Sequence, residues 1–271
     1  MKKLLALLLA VLLAVSLCAC GDKKEEQTTN PGGDEIVEDR VVDAAGDSFY
    51  FESIDSETVR IVNFAGPSAP HAVNVPETIK GKTVTEIGEG AFRAASNITV
   101  VTLPATMEAI GEYAFAESSV TAIRFPASFK TLGKAAFYGC SALTEVTFAE
   151  GILLSEIPYA AFINSGLTAI ELPASIKLVG DAAFMNNKAL ASVKINEGTE
   201  LVGNAAFQGC LALATLQLPA SLAEIGEYAF SGSENLYMTG VTVPAGSAAE
   251  AYVAEMKLAA AAPEAPAEPA A

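Results

Sequence analysis

The sequence predicts a β-rich α/β solenoid, in which short strands from successive repeats stack into a parallel sheet. A phenylalanine, nearly always preceded by alanine, recurs every 22 to 25 residues, and an apolar run with strand-like alternation follows it. A fixed period of this length is typical of solenoids, whose repeats bury their apolar faces only against their neighbours. The recurring residues are Phe92, Phe115, Phe137, Phe162, Phe184, Phe207 and Phe230.

The strand half of each repeat has apolar residues at spacings of three and two, as in Ile98, Val101 and Leu103. This Leu-x-x-Val-x-Leu spacing is that of a leucine-rich repeat. Its period-two part directs Val101 and Leu103 inwards and Thr102 outwards. A proline, or a Glu-Gly pair in two repeats, then ends the strand.

The other half of each repeat carries the phrase Gly-x-x-Ala-Phe. We expect the glycine to permit a tight turn, the alanine to leave room at a crowded corner, and the phenylalanine to fill the core. The fourth repeat is longer and has Pro158 in place of the glycine. This predicts an outward bulge at 152–158, either a functional protrusion or a tolerated surface insertion.

Both ends of the solenoid are predicted to be capped. Two alternating runs, 49–54 and 59–64, flank a turn-forming Asp-Ser-Glu sequence and predict an N-terminal β-hairpin. At the other end Ser247 and Glu250 resemble a capping box, which predicts a C-terminal helical cap.

The first 19 residues are typical of an export signal, with two lysines followed by a short apolar stretch. The following phrase, Leu17-Cys18-Ala19-Cys20-Gly21, resembles a bacterial lipobox, which implies lipidation of Cys20 and an extracytoplasmic protein anchored to the cell membrane. An ordinary secretory signal with an incidental cysteine is the alternative. The expected organisation is a lipoprotein signal peptide at 1–19, a lipidated cysteine and flexible tether at 20–47, the repeat domain with its caps at 48–258, and a disordered Ala/Pro tail at 259–271.

The chain is strongly acidic, with 16 basic against 32 acidic residues and a net charge of −16. Such a surface argues against a nucleic-acid partner, because nucleic acid selects basic stripes. Solubility alone also explains the charge. We expect a monomer.

Cys140 and Cys210 each lie three residues after the phenylalanine of their repeat. They therefore occupy equivalent places three repeats apart, which at about 4.8 Å per strand separates them by roughly 14 Å. A disulfide requires Cα atoms within about 7 Å. We therefore predict two free thiols that face the core.

Together these features resemble the BspA-type leucine-rich-repeat proteins of bacterial surfaces. The resemblance runs from residue 48 to 258 and includes Val75-Pro76-Glu77-Thr78-Ile79 and the Ser-Ala-Ala-Glu-Ala-Tyr sequence that begins at Ser247. It implies a right-handed solenoid and, in some members, adhesion to host matrix proteins or to other cells. It implies no particular ligand contacts, because the shared motif consists of scaffold residues.

The sequence contains no pattern that specifies catalysis. His71 is the only histidine and lies in a loop-like stretch, and neither a nucleophile elbow nor a phosphate loop is present. Acidic residues recur at the outer turns, where a solvated surface explains them. No catalytic residue, metal or cofactor is predicted, although paired carboxylates leave hydrolysis as a remote third hypothesis.

The best candidate site is the outward row of the predicted sheet, which is polar and varies from repeat to repeat. The leading hypothesis is protein–protein interaction or adhesion through this row, and the alternative is capture of a glycan or cell-wall polymer. The candidate ligand-binding residues are Thr102, Arg124, Thr147, Glu171, Lys194 and Gln217.

Overall fold

A computed structural model describes residues 39–233, 235–236 and 240–261, together with the backbone of two short strands near the N-terminus. These strands, β1 (Thr28–Thr29) and β2 (Glu35–Ile36), pair antiparallel in a separate small unit that ends at Glu38. The main unit begins at Asp39. Within the described residues no helix is both long and apolar enough to cross a membrane. The segment predicted to be a signal peptide, 1–19, and Cys20 lie outside the described residues.

The main unit opens with an antiparallel cap of three strands, β3 (Arg40–Val42), β4 (Ser48–Ser53) and β5 (Thr58–Ala65). The predicted hairpin of β4 and β5 is confirmed. A carboxylate oxygen of Asp55 accepts hydrogen bonds from the backbone N–H groups of Glu57 and Thr58, which fixes the turn.

The folded part starts earlier than the predicted boundary at residue 48. Strand β3 lies within the segment expected to be a tether, and it pairs with β4. Asp47, the last residue of that expected tether, is fully buried. The polar composition of this segment does not indicate β3, because this short strand forms by pairing with β4, which comes later in the chain.

The repeats then wind into a solenoid of about eight turns with parallel sheets. One side, named here the ladder sheet, contains the predicted leucine-rich-repeat strands. These strands are β6 (His71–Asn74), β9 (Ile98–Thr102), β11 (Ala122–Phe125), β13 (Glu145–Phe148), β15 (Ala169–Leu172), β17 (Ser192–Ile195), β19 (Thr215–Gln217) and β21 (Val241–Thr242).

A second parallel sheet, which the sequence did not predict, forms another side. It starts where β5 pairs in parallel with β8 (Lys82–Ile87), and β8 also pairs antiparallel with β7 (Thr78–Ile79). The sheet then continues through two-residue strands that lie just before each Gly-x-x-Ala-Phe phrase. Its further strands are β7 (Thr78–Ile79), β8 (Lys82–Ile87), β10 (Ala109–Ile110), β12 (Thr131–Leu132), β14 (Glu156–Ile157), β16 (Leu178–Val179), β18 (Leu201–Val202) and β20 (Glu224–Ile225).

The third side, named here the phenylalanine corner, is built by the Gly-x-x-Ala-Phe phrases. Their rings form a continuous stack with centroids 4.7 to 5.3 Å apart and planes within 23° of parallel. Phe49 of the hairpin lies against the first ring at 5.6 Å, and Tyr252 lies against the last at 6.2 Å. The stacked rings are Phe64, Phe92, Phe115, Phe137, Phe162, Phe184, Phe207 and Phe230.

The backbone of the corner is a hydrogen-bond ladder between successive turns. The N–H groups of the phenylalanine and of the residues two before and two after it donate to the next turn, as Phe115 does to the Ala136 carbonyl at 2.8 Å. Both flanking positions have positive φ, and most of these residues are not glycine; Tyr113 has φ 52° and Ala135 has φ 51°.

A tight turn begins at the glycine of the phrase, as where the Ala136 N–H donates to the Gly133 carbonyl at 3.3 Å, but φ is not positive at this position in the six repeats that begin with glycine, so the turn itself does not require glycine. Close contact between neighbouring turns explains instead why this position is glycine. A Cβ on Gly133 would lie 2.2 Å from the Gly111 carbonyl carbon, and the Gly133 N–H donates to the Ile110 carbonyl at 2.7 Å. Any larger residue would push neighbouring turns apart.

Pro158 occupies this position in the fourth repeat, and there both sheets are interrupted. Pairing stops between β13 and β15 in the ladder sheet and between β12 and β14 in the second sheet. Proline carries a Cβ and has no N–H to donate, so it cannot make the bond that the glycines make. The corner continues across this break, since Phe137 donates to the Ala161 carbonyl at 2.8 Å.

The predicted outward bulge at 152–158 is only partly observed. Ile152 and Leu154 are buried in the core, and Leu153 between them is 57% exposed. The longer repeat therefore continues here with strand-like alternation of buried and exposed residues.

The C-terminal helical cap is confirmed as α1 (Ala248–Ala261), which extends past the predicted boundary at 258. Its first turn is closed by Ser247, whose hydroxyl accepts a hydrogen bond from the Glu250 N–H at 3.2 Å. Ala249 and Val253 pack into the core. The remainder of the predicted disordered tail, 262–271, lies outside the described residues.

Truncating a ring in the middle of the stack should be strongly destabilising. For Phe162→Ala we expect a loss of about 3–5 kcal/mol, because the cavity removes ring contacts on both sides. Urea denaturation of this variant and of Tyr159→Ala measures the effect, since Tyr159 is 55% exposed beside the same turn. Equal denaturation midpoints for the two variants would contradict a structural role of the stack.

The sheet break should be visible in amide exchange. Strands β14 and β15 each lack a partner on one side, whereas β16 and β17 are paired on both sides. We expect faster hydrogen–deuterium exchange in β14 and β15 than in β16 and β17, measured by mass spectrometry of overlapping peptides. Uniform protection across the four strands would show that the break does not weaken the solenoid.

Candidate functional site: the outward face of the ladder sheet

The six candidate residues lie on the outward face of the ladder sheet, as predicted. They are aligned across neighbouring strands, with Arg124 opposite Thr147 and Lys194 opposite both Glu171 and Gln217. The same row also contains two residues that sequence reasoning missed, Asn74 opposite Thr102 and Thr242 opposite Gln217. Both stand in Val-x-Val-Pro sequences that match the end of a repeat strand, and this signal could have found them.

The sheet break divides the row into two separate faces. The first ladder face comprises the outward residues of β6, β9, β11 and β13, and the second ladder face comprises those of β15, β17, β19 and β21. The row of outward residues therefore forms two four-stranded surfaces, and these surfaces differ in chemistry.

On the second ladder face, oppositely charged residues pair with each other. The Lys194 ammonium lies 2.6 Å from a Glu171 carboxylate oxygen, and the Asn196 amide donates to the same oxygen at 3.1 Å. The hydrogen bond from Lys194, followed by that from Asn196, lowers the pKa of Glu171. Because both partners are exposed, this pair stabilises the fold little and mainly neutralises the surface.

The first ladder face combines an arginine with exposed apolar groups. Arg124 is exposed and, among the described residues, lies within ion-pairing distance of no carboxylate. Beside it Val100 is 40% exposed and is aligned with Ala122 on the next strand. These residues line a shallow groove of about 550 Å³ together with Glu145 and Pro126.

Residues 71–189 and 155–245 match the family model described as the BspA type leucine rich repeat region, in six copies. The chain belongs to this family. No curated protein matches the chain.

Several solved structures resemble this BspA-type chain. A leucine-rich-repeat protein of T. pallidum is 24% identical, with 66% of this chain and 78% of that chain covered and a TM-score of 0.45. The pneumococcal vaccine antigen PcpA is 16% identical, with 74% and 80% covered and a TM-score of 0.36. A leucine-rich cell surface protein of Faecalibacterium prausnitzii is 17% identical, with 79% and 97% covered and a TM-score of 0.30.

The tyrosines of the BspA-type repeats lie at the phenylalanine corner and not on the ladder sheet. Tyr113, Tyr159 and Tyr228 are exposed there. The Arg93 guanidinium lies 5.8 Å from the centre of the Tyr113 ring, in a cation–π contact. The exposed aromatic rings are therefore separate from the row of candidate residues.

The two remaining cysteines are free and buried, as predicted. Each donates its S–H to the carbonyl of the preceding repeat's phenylalanine, from Cys140 to Phe115 at 2.9 Å and from Cys210 to Phe184 at 3.4 Å. Burial raises the pKa of Cys140 to about 11 and that of Cys210 to about 12. They act as buried hydrogen-bond donors, a role that Ser165 fills at the equivalent position of its own repeat.

His71, the first residue of β6, links the ladder sheet to the N-terminal cap. Its Nε2 lies 2.7 Å from a carboxylate oxygen of Asp47, and its Nδ1 lies 2.9 Å from the Ala69 carbonyl oxygen. Only an imidazolium can donate from both ring nitrogens at once, to the Asp47 carboxylate and to the Ala69 carbonyl. The Ala69 carbonyl, followed by Asp47, raises the pKa of His71. In the described part of the chain, no three acidic, histidine or cysteine residues cluster as metal ligands would.

The His71–Asp47 pair should make the stability of the fold decrease as the pH rises. A histidine whose pKa is raised by folding contributes stability that is fully present below its ordinary pKa of 6.5 and is lost as pH rises through the raised folded value. We therefore expect the urea midpoint to fall between about pH 6 and pH 9. In Asp47→Asn this fall should be smaller, because the Ala69 carbonyl remains but the carboxylate is lost. The same slope in both proteins would show that the pair does not link stability to pH.

Proposed function

We propose that this BspA-type chain is a lipid-anchored protein of a bacterial cell surface that binds a protein partner through the ladder sheet. The observation that carries the proposal is the outward row, in which polar residues of both charge signs vary over a constant apolar interior. A solenoid presents such residues at fixed steps of about 4.8 Å, which suits it to an extended protein surface.

The break supports a partner contact that is local and not spread over the whole row. Each ladder face is four strands wide, and the two faces differ in charge pairing and apolar exposure. Because surface ion pairs such as Lys194–Glu171 contribute little to the fold, their conversion into contacts with a partner costs the solenoid little.

The proposed anchor is supported by the sequence around Cys20. The lipobox-like phrase places a cysteine at the cleavage position, and two or more acyl chains form a stable membrane anchor where a single chain is marginal.

Glycan or cell-wall-polymer binding is the second candidate function, and the exposed tyrosines of the corner favour it. Tyr113, Tyr159 and Tyr228 are 41%, 55% and 67% exposed. Aromatic rings with an apolar face and a polar tip are suited to contact with sugars.

An array of matrix proteins, host glycans and bacterial wall polymers tests the proposal with the full chain. The ladder variant replaces Arg124, Glu171 and Lys194 with alanine. A matched variant replaces Lys130, Glu108 and Lys134 of the second sheet, which changes net charge by the same amount and also removes one ion pair.

We expect protein spots that weaken at least about tenfold with the ladder variant and persist with the matched variant, because only the former removes partner contacts. Binding confined to glycans, or protein binding that is insensitive to the ladder substitutions, would contradict the proposal. Loss of glycan spots on replacing the three corner tyrosines with alanine would establish the second candidate instead.

A further inference from the structure

We propose that the first ladder face binds a short extended segment of its protein partner that carries a single carboxylate next to a small apolar side chain. Arg124 binds the carboxylate, and Val100 with Ala122 contacts the apolar side chain. This inference rests on the proposed function and names the chemistry of the partner.

Arg124 is placed to receive an anion from solvent. It lies on β11 between two partner strands, and Thr147 is aligned directly opposite it on one side. On the other side the register that pairs Ile123 with Val101 brings Thr102 beside Arg124. A planar guanidinium flanked by two hydroxyl groups can hold a carboxylate by two parallel hydrogen bonds with further donors alongside.

The charge of Arg124 is not used by the fold, in contrast to cations nearby. Lys194 and Lys130 each lie within 2.8 Å of a carboxylate oxygen, and Arg60 bridges Glu52 and Glu86. Binding of a partner carboxylate to Arg124 therefore breaks no ion pair of the described residues. The net gain on binding is correspondingly larger than at a cation that must first leave its own partner.

The apolar part of the face lies at the distance that an extended peptide requires. Val100 and Ala122 precede Thr102 and Arg124 by two residues on their strands, a step of about 6.6 Å. Side chains two apart on an extended peptide face the same way with the same separation. A segment that runs along the strands can therefore place a carboxylate over Arg124 and a small apolar group over Val100.

The electrostatics of the groove favour one carboxylate over a polyanion. Glu145 lines the same groove, aligned with Ala122, and the whole chain carries a net charge of −16. A nucleic acid or a sulfated glycan would bring several charges against Glu145 and this surface. A single carboxylate between neutral residues meets Arg124 without that repulsion.

The experiment is an NMR titration of the ¹⁵N-labelled full chain with two blocked pentapeptides, acetyl-Ser-Val-Ser-Asp-Ser-amide and its Asp→Asn analogue. We expect the acidic peptide to shift amide signals of β9, β11 and β13, and the neutral analogue to bind at least about tenfold more weakly, because one charge-assisted contact is lost. Arg124→Ala should abolish the difference between the peptides, and Arg124→Lys should retain part of it. Lys130→Ala, which removes a cation outside the ladder sheet, is the matched control and should bind both peptides as the unaltered chain does.

Equal binding of the two peptides, or shifts confined to the second ladder face or the corner, would overturn the inference. Tighter binding of a heparin oligosaccharide to the same amides would overturn it in favour of a polyanion. Arg124 is exposed, so its variants should unfold at the urea midpoint of the unaltered chain. If array partners are lost with Lys194→Ala but retained with Arg124→Ala, this inference fails while the proposed function stands.

Discussion

The stack of phenylalanine rings at the corner is the interaction on which the rest of this structure depends. Its step of 4.7 to 5.3 Å brackets the spacing of about 4.8 Å between hydrogen-bonded strands. Ring stacking and strand pairing can therefore proceed together along one axis. At Pro158 both sheets lose their pairing, yet Phe137 and Phe162 remain stacked at 5.3 Å. At this break it is the corner, and not either sheet, that keeps the two halves of the solenoid in register.

The corner and the inward residues stabilise the fold, and the outward residues do not. A repeat protein can therefore acquire binding specificity at its outward residues without loss of stability. Inward positions such as Ile123, Val146 and Ile170 are buried and remain apolar from turn to turn. The outward residues between them contact solvent, so their replacement leaves the core intact. The break adds a second consequence, because the face around Arg124 and the face around Lys194 can present different chemistry on one rigid scaffold.

The sequence was sufficient to predict features that repeat or that depend on local alternation. The ring spacing, the outward row, both caps and the free cysteines follow from period and pattern. The turn at the phrase glycine was predicted but the reason for a glycine there was not, because the sequence does not show that Gly133 approaches the backbone of Gly111 in another turn. The buried Asp47 was assigned to a tether, since its partner His71 lies 24 residues away and no local signal links them. The second sheet was missed because each of its later strands is only two residues long.

The corner also shows how strongly the solenoid constrains its buried alanines. Ala135, Ala160 and Ala182 adopt the left-handed region, which costs a non-glycine residue roughly 1–2 kcal/mol each. Glycine would avoid that cost, but the alanine methyl groups pack with Ile163 into a small second apolar cluster, covered by Tyr138 and Met185. This packing and three interturn hydrogen bonds per repeat offset the strain. Where one of these alanines is buried, backbone strain, packing and hydrogen bonding must all be satisfied at once, whereas the outward residues of the ladder sheet can be replaced without disturbing the core.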